Sequence, residues 1–184
     1  DRHDTLLSRS CSAIFHILEG FESEKINEVL DGTDMGFLTR MLQLLPSKAP
    51  YVQRPIWRCI KLIASVSDVY IKTIFDAGGI SHISKALFSQ YSIEKCHFYQ
   101  EPACGAIPII LAKDAERVQA AIDNNIVPGL LRLFKGKLNN KHVLKLIEQI
   151  TQNGNAAQIQ HLVSMDIANH LCKMLAKDCD VAVI

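Results

Sequence analysis

The sequence predicts an all-α solenoid, a stack of similar helical units, and two observations lead to this prediction. The first is a pattern that recurs four times along the chain. A short amphipathic helix is followed by a polar turn and by a second helix, whose apolar positions begin twelve residues after those of the first. The second observation is that all of these positions are apolar, although the overall apolar content is 48%. The pattern is therefore an internal repeat.

The repeat is clearest in VQAAIDNNIVPGLLRLF, residues 118–134, where the polar turn separates the two helices. The apolar anchors of the four copies are Ile26, Val29 and Leu30 with Leu38, Met41 and Leu42; Ile71, Ile74 and Phe75 with Ile83, Ala86 and Leu87; Val118, Ala121 and Ile122 with Leu130, Leu133 and Phe134; and Ile159, Leu162 and Val163 with Leu171, Met174 and Leu175. Successive copies start 45, 47 and 41 residues apart. This spacing is typical of armadillo and HEAT units.

A third helix is predicted between the second helix of one copy and the first helix of the next. The four segments long enough for it run from Thr5 to Gly20, from Tyr51 to Val66, from Cys96 to Ala112 and from Asn140 to Gln152. Three helices in each unit favour armadillo over HEAT repeats. The sequence thus predicts a single armadillo-repeat array over residues 1–184, a right-handed superhelix with units at 5–45, 46–92, 93–138 and 139–184. Leu130 and Phe134 are expected to be buried between units.

Composition and charge narrow the classes of function. The formal net charge is +1, so no global field favours nucleic acid or an anionic membrane. No apolar run approaches the roughly 18 residues of a membrane span. We therefore expect a soluble, intracellular protein without nucleic-acid or membrane partners. Both ends are expected to be cut points within a longer protein. The first segment lacks the polar cap that closes a solenoid, and Asp178 to Ile184 resemble the opening of a further third helix that never completes.

The six cysteines lie mostly inside helical patterns and lack the dense spacing of a disulfide framework. We interpret them as buried free thiols. Two alternative metal sites are Cys96, His97 and Cys104, or His170, Cys172 and Cys179. Because neither set has C-x-x-C spacing, no metal and no cofactor is predicted. The sequence also lacks a Gly-rich phosphate loop and a G-x-S-x-G element, so an enzyme is not predicted.

Two third helices contain unusual residues. Trp57 has two interpretations, a core residue between units or a groove aromatic on which a peptide stacks. In the third unit, Pro102, Gly105 and Pro108 fall where the repeat requires a helix. A proline inside a helix costs roughly 3 kcal/mol. The sequence therefore predicts an interruption between Gly105 and Pro108, either as tolerated drift or as a reshaped groove.

Three stretches resemble the importin-alpha (karyopherin-alpha) adaptors of nuclear import, whose body is a stack of armadillo repeats. VQAAIDNNIVPGLLRLF and QIQHLVSMDIANHLCKML are similar to the helix-turn-helix segments of that family. IFDAGGISHISKAL is similar to the segment found in its middle repeats. The resemblance covers nearly the whole chain and places it in the middle-to-late repeats.

The resemblance also implies a binding surface. In that family the third helices line a concave groove, where a Trp and an Asn one turn later hold an extended lysine-rich signal peptide. Aligned from the first-helix anchors, the Trp place of successive units holds Ser12, Arg58, Gly105 and Lys145. The Asn place holds His16, Leu62, Ile109 and Gln149. Arg58 agrees with the family, whose middle repeats tend to carry Arg there.

The function that the resemblance implies is a nuclear import adaptor of the cytoplasm and nucleus. It would bind the nuclear localisation signals of cargo proteins along the groove and recruit importin-beta through a basic segment outside this chain. The alternative is an armadillo scaffold that binds other protein partners and has no transport role. Because the Trp and Asn pair is replaced in each unit, a lysine-rich signal is expected to bind roughly tenfold or more weakly than in an ordinary importin-alpha groove.

Overall fold

The computed structural model describes residues 2–33, 36–45, 50–87, 105–111, 114–129 and 140–172. In this part of the chain the secondary structure is helical, with no strand. The helices are α1 (Arg2–Glu19), α2 (Ser23–Gly32), α3 (Gly36–Leu44), α4 (Pro50–Val66), α5 (Asp68–Asp76), α6 (Gly79–Leu87), α7 (Ala115–Asp123), α8 (Asn140–Asn153) and α9 (Ala156–Ser164). Shorter helical segments cover 105–110, 126–129 and 167–172. None of the described helices has both the length and the apolar character needed to cross a membrane.

The helices follow the predicted three-part order. One set is α2, α3 and α4; the next is α5, α6 and segment 105–110; the third is α7, segment 126–129 and α8; α9 and segment 167–172 begin a fourth. Helix α1 takes the place of a third helix and packs along α4. The third helices predicted over 5–20, 51–66 and 140–152 are confirmed by α1, α4 and α8 to within a few residues. The unit boundaries themselves stay a prediction.

A single left-handed residue reverses the chain between the first and second helices of three sets. These residues are Gly78, Asn125 and Asp166, with φ of 71°, 56° and 61°. Each lies seven positions after the first apolar anchor of its copy. Glycine adopts this conformation freely, and Asn and Asp tolerate it better than most other residues. The polar turns in the repeat therefore have a conformational as well as a solvation role.

Side-chain caps fix where three of the first helices begin. The hydroxyl of Ser67 accepts from the backbone N–H of Val69 at 3.2 Å before α5. Asp114 Oδ1 accepts from the N–H of Glu116 at 2.8 Å before α7. Asn155 caps α9 in a reciprocal capping box. Each cap satisfies a backbone donor that would lack a partner inside the helix.

Many of the repeat anchors lie in the hydrophobic core, together with buried residues of the third helices. The buried anchors with described side chains are Ile26, Leu30, Leu38, Met41, Leu42, Ile71, Ile74, Ile83, Val118, Ala121 and Leu162. Val163 is an exception, with 51% of its surface exposed. Leu130 and Phe134 lie outside the described residues, so their predicted burial stays a prediction.

Helix α4 shows how neighbouring units support each other. Trp57 is only 2% exposed, so it is a core residue and not a groove aromatic. Pro55 lies inside the helix and has no N–H to donate to the carbonyl four residues earlier, that of Tyr51. The hydroxyl of Ser8, on α1, donates to this carbonyl oxygen at 2.9 Å. A side chain of the preceding third helix thus replaces the hydrogen bond that the proline removes.

Candidate functional site

The first two predicted site pairs come together where α1 packs on α4. Ser12 is half-buried and His16 is exposed on α1, while Arg58 and Leu62 are half-buried on α4. Glu19 links the two helices: its Oε2 lies 3.4 Å from His16 Nδ1, and its Oε1 lies 3.8 Å from Arg58 Nη2. His16 on α1 and Arg58 on α4 therefore lie close to each other, on either side of Glu19.

Arg58 also stacks on an aromatic ring of the neighbouring helix. Its guanidinium carbon lies 3.7 Å from the centroid of the Phe15 ring, within the range of a cation–π interaction. Phe15 is 6% exposed, so its ring is covered by the chain itself. Phe15 and Glu19 were missed in the sequence, because each is far from Arg58 along the chain and only the packing of α1 on α4 brings them together.

The third predicted pair lies on segment 105–110. Gly105 is buried and Ile109 is half-buried. The predicted interruption between Gly105 and Pro108 is wrong, because residues 105–110 form a continuous helical segment. A proline ring clashes with the carbonyl four residues earlier, which here belongs to residue 104, outside the described residues. The helical turn that follows Pro108 is intact, with the N–H of Leu111 donating to Ile107 at 3.0 Å.

The fourth predicted pair lies on α8. Lys145 is exposed and Gln149 is half-buried. The side chain of Asn153 donates to the carbonyl oxygen of Gln149 at 2.9 Å and to its side-chain oxygen at 3.2 Å. Gln149 is thus held by its own helix one turn further on. The ammonium of Lys145 stands at the place where the resemblance implies an aromatic face.

Two of the cysteines are buried at the contact between α1 and α4. The thiol of Cys59 donates to the carbonyl oxygen of Cys11 at 3.5 Å, and both residues are free cysteines. Burial, together with the neighbouring Cys11, raises the pKa of Cys59 to about 12. Burial also raises the pKa of Cys11. Both thiols are therefore protonated near neutral pH, which disfavours nucleophilic and metal-binding roles.

The remaining cysteines give a mixed result. Cys172 is a free thiol but is exposed, so the prediction of burial is wrong at this position. Cys96, Cys104 and Cys179 lie outside the described residues. In the ranges that the structure describes, no three His, Cys, Asp or Glu side chains are grouped as a set of metal ligands.

Solved structures of engineered proteins share this fold. One is 27% identical and matches 91% of this chain and 65% of its own, with a TM-score of 0.76. A second is 21% identical and matches 94% of this chain and 68% of its own, also with a TM-score of 0.76. A designed armadillo repeat protein in complex with the peptide (KR)4 is 25% identical over 92% of this chain and 66% of its own, with a TM-score of 0.73.

These likenesses show that the fold is an armadillo-repeat α-solenoid, as predicted. The chain spans about two thirds of the length of the three solved structures. No protein-family model matches the chain, and no curated protein matches it.

Proposed function

We propose that this chain is an armadillo scaffold that binds an extended peptide segment of a partner protein along its third helices. The observation that carries this proposal is the side-by-side packing of α1 and α4, which gathers Ser12, His16 and Arg58 on one surface. The likeness to a designed armadillo protein that holds a peptide supports it. No catalytic role and no cofactor are part of the proposal.

The geometry of stacked helices suits an extended ligand. Packed helices lie about 8–10 Å apart, and an extended peptide advances about 3.3 Å per residue. A step from one third helix to the next therefore spans two to three peptide residues. The polar residues at the Trp and Asn places would then meet successive parts of the same peptide.

A narrower candidate is an importin-alpha-like nuclear import adaptor of the cytoplasm and nucleus, which would bind cargo signals and importin-beta. The resemblance of residues 74–87, 118–134 and 158–175 to that family supports it, as does the basic peptide held by the designed neighbour. Two features weaken binding of a lysine-rich signal here. Arg58 already covers the Phe15 ring, and exposed Lys145 repels a lysine side chain. We keep the expectation of binding roughly tenfold weaker than in an ordinary importin-alpha groove.

A random peptide library displayed on phage, panned against the immobilised protein, tests peptide binding directly. An enriched peptide is then titrated against His16→Ala and against a matched control, His161→Ala. Both histidines are exposed, but His161 lies on α9, which is a first helix. Loss of one hydrogen bond at His16 should weaken binding by about two- to tenfold, whereas the control should change it less than about twofold. Failure to enrich any peptide, or equal effects of both variants, would contradict the proposal.

A further inference from the structure

The charged residues of the described helices are segregated by helix type. The third-helix positions α1, α4 and α8 carry seven basic and three acidic residues: Arg2, Arg9, Arg54, Arg58, Lys61, Lys141 and Lys145, against Asp4, Glu19 and Glu148. The first helices α2, α5 and α7 show the reverse, with three basic and seven acidic residues: Lys25, Lys72 and Arg117, against Glu24, Glu28, Asp31, Asp68, Asp76, Glu116 and Asp123. The net charge of +1 hides this separation.

The positive charge is most concentrated on α4. Arg54, Arg58 and Lys61 are spaced four and then three residues apart, so they form a stripe along one face of the helix. The sequence of α4 contains no acidic residue. Lys61 is exposed and Arg58 is half-exposed, so the stripe reaches the surface on which the candidate site lies.

Helix dipoles explain only part of this arrangement. Glu24, Asp68 and Glu116 lie in the first turns of α2, α5 and α7, where a carboxylate is favoured by the helix dipole. The same effect would place basic residues in the last turn of α4, but that turn has none. The dipole of α4 therefore does not account for Arg58 and Lys61.

Glu19, the acidic residue beside this stripe of basic side chains, does not fully neutralise its positive charge. Glu19 lies 3.8 Å from Arg58, whereas a charge-assisted hydrogen bond is about 2.7–2.9 Å long. The side chains of Arg58 and Glu19 are 36% and 53% exposed, so solvent screens their attraction. Stacking on Phe15 meanwhile holds the guanidinium in place, which reduces the side-chain entropy lost when a ligand carboxylate binds.

We infer that the third-helix surface at α1 and α4 takes an acidic peptide, with glutamate or aspartate side chains bound by Arg58 and Lys61. This inference rests on the proposed peptide-binding function and adds the charge of its ligand. Guanidinium groups suit carboxylates because they can donate two parallel hydrogen bonds. A nucleic acid fits less well, because the acidic first helices and the small net charge oppose a long polyanion.

Two single variants of the full chain test the inference. Lys61→Glu reverses an exposed charge on the proposed surface of α4. The matched control, Lys72→Glu, reverses an exposed charge on the first helix α5 and changes the net charge by the same amount. Circular dichroism first confirms that both variants are folded. Each protein is then panned against the same random phage-displayed peptide library, and enriched peptides are titrated by fluorescence anisotropy beside a single-stranded oligonucleotide.

The expected result is enrichment of acidic peptides by the natural chain and by the first-helix control. Their affinity should fall at least about tenfold in the third-helix variant and should decrease with added salt. Enrichment of basic or neutral peptides would overturn the inference about charge and leave peptide binding intact. Enrichment of no peptide would overturn both. Tighter binding of the oligonucleotide than of every peptide, lost only in the third-helix variant, would overturn the choice of a peptide as the ligand.

Discussion

Gln158 connects α9 to α7, the first helices of two neighbouring sets, and replacing it should weaken the contact between them. This residue is 3% exposed. Its side-chain nitrogen donates to the carbonyl oxygen of Ala115 at 2.9 Å and to the side-chain oxygen of Gln119 at 3.0 Å. Its own side-chain oxygen accepts from the N–H of Asn155 at 2.9 Å, within the capping box of α9. One side chain therefore completes a helix cap and ties α9 to α7.

The substitution Gln158→Met keeps a long unbranched side chain and removes these three hydrogen bonds. Each hydrogen bond contributes a net of about 0.5–1.5 kcal/mol, so the loss of three should lower the free energy of unfolding by about 1.5–4.5 kcal/mol. Gln160→Met is the matched control, because Gln160 is exposed on the same helix. Its effect should stay within about 0.5 kcal/mol.

Urea denaturation measures the loss of stability, and amide hydrogen exchange locates it. In a repeat stack each unit contacts only its neighbours, so exchange should quicken in α9 and leave α2–α4 unchanged. Equal stability of the two variants would refute the reasoning. Faster exchange spread evenly over α2–α9 would show that the contact between α9 and α7 is not a local element.

Two further predictions concern single residues. Ser8→Ala removes the donor to the carbonyl oxygen of Tyr51 and should lower the free energy of unfolding by about 0.5–1.5 kcal/mol. In a chain that also carries Pro55→Ala the same substitution should cost less, because residue 55 then donates to this carbonyl oxygen itself. Equal losses of stability in the two backgrounds, measured by urea denaturation, would contradict this. His82 has a buried Nδ1 without a hydrogen-bond partner, and burial, then the charge of Lys85, lowers its pKa. The unfolded chain therefore binds a proton at His82 more readily than the folded chain does. The contribution of neutral His82 to the free energy of unfolding is present above the ordinary pKa of about 6.5, and it is lost as the pH falls through the lower pKa of the folded chain. Denaturation midpoints between pH 7 and pH 5 should therefore fall less in His82→Gln than in the natural chain, and parallel curves would exclude this role.

The fold could be predicted because it depends on the recurrence of local patterns. The anchors Leu30, Leu38 and Ile74 belong to sets of positions that are apolar in every copy of the repeat, and all three are fully buried. The candidate site stays a prediction, because the resemblance alone implied which positions hold the Trp and Asn places. The partners of Arg58 could not be predicted, since Phe15 and Glu19 reach it only through the packing of two helices. The predicted break near Pro108 applied a general rule on prolines inside helices, but residues 105–110 form a continuous helical segment.

The hydrogen bonds between neighbouring units could not be predicted from the sequence either. At one joint the hydroxyl of Tyr70 donates to Asn27 at 2.7 Å, and at another the side chain of Gln158 donates to Gln119 at 3.0 Å. In each case the residue before the first anchor of one copy binds the residue after the first anchor of the copy before it. These two positions, directly before and after the first anchor, do not stand out in the sequence, because the residues that occupy them in successive copies differ in chemistry.

The joint between α5 and α7 departs from this arrangement. Its equivalent residues, Lys72 and Arg117, carry like charges and cannot form the same hydrogen bond. Arg117 pairs instead with Asp114 of its own unit, with Nε and Oδ2 3.1 Å apart. Among the residues that the structure describes, a polar contact between these units occurs elsewhere: the hydroxyl of Ser84 on α6 donates to the carbonyl oxygen of Asn124 at 2.5 Å. The apolar positions can therefore stay the same from copy to copy while the polar contacts between units differ. Two pairs of neighbouring units are linked between their first helices, and one pair is linked between a second helix and the turn after the next first helix. The apolar positions define the fold, and the polar positions distinguish one contact between units from another.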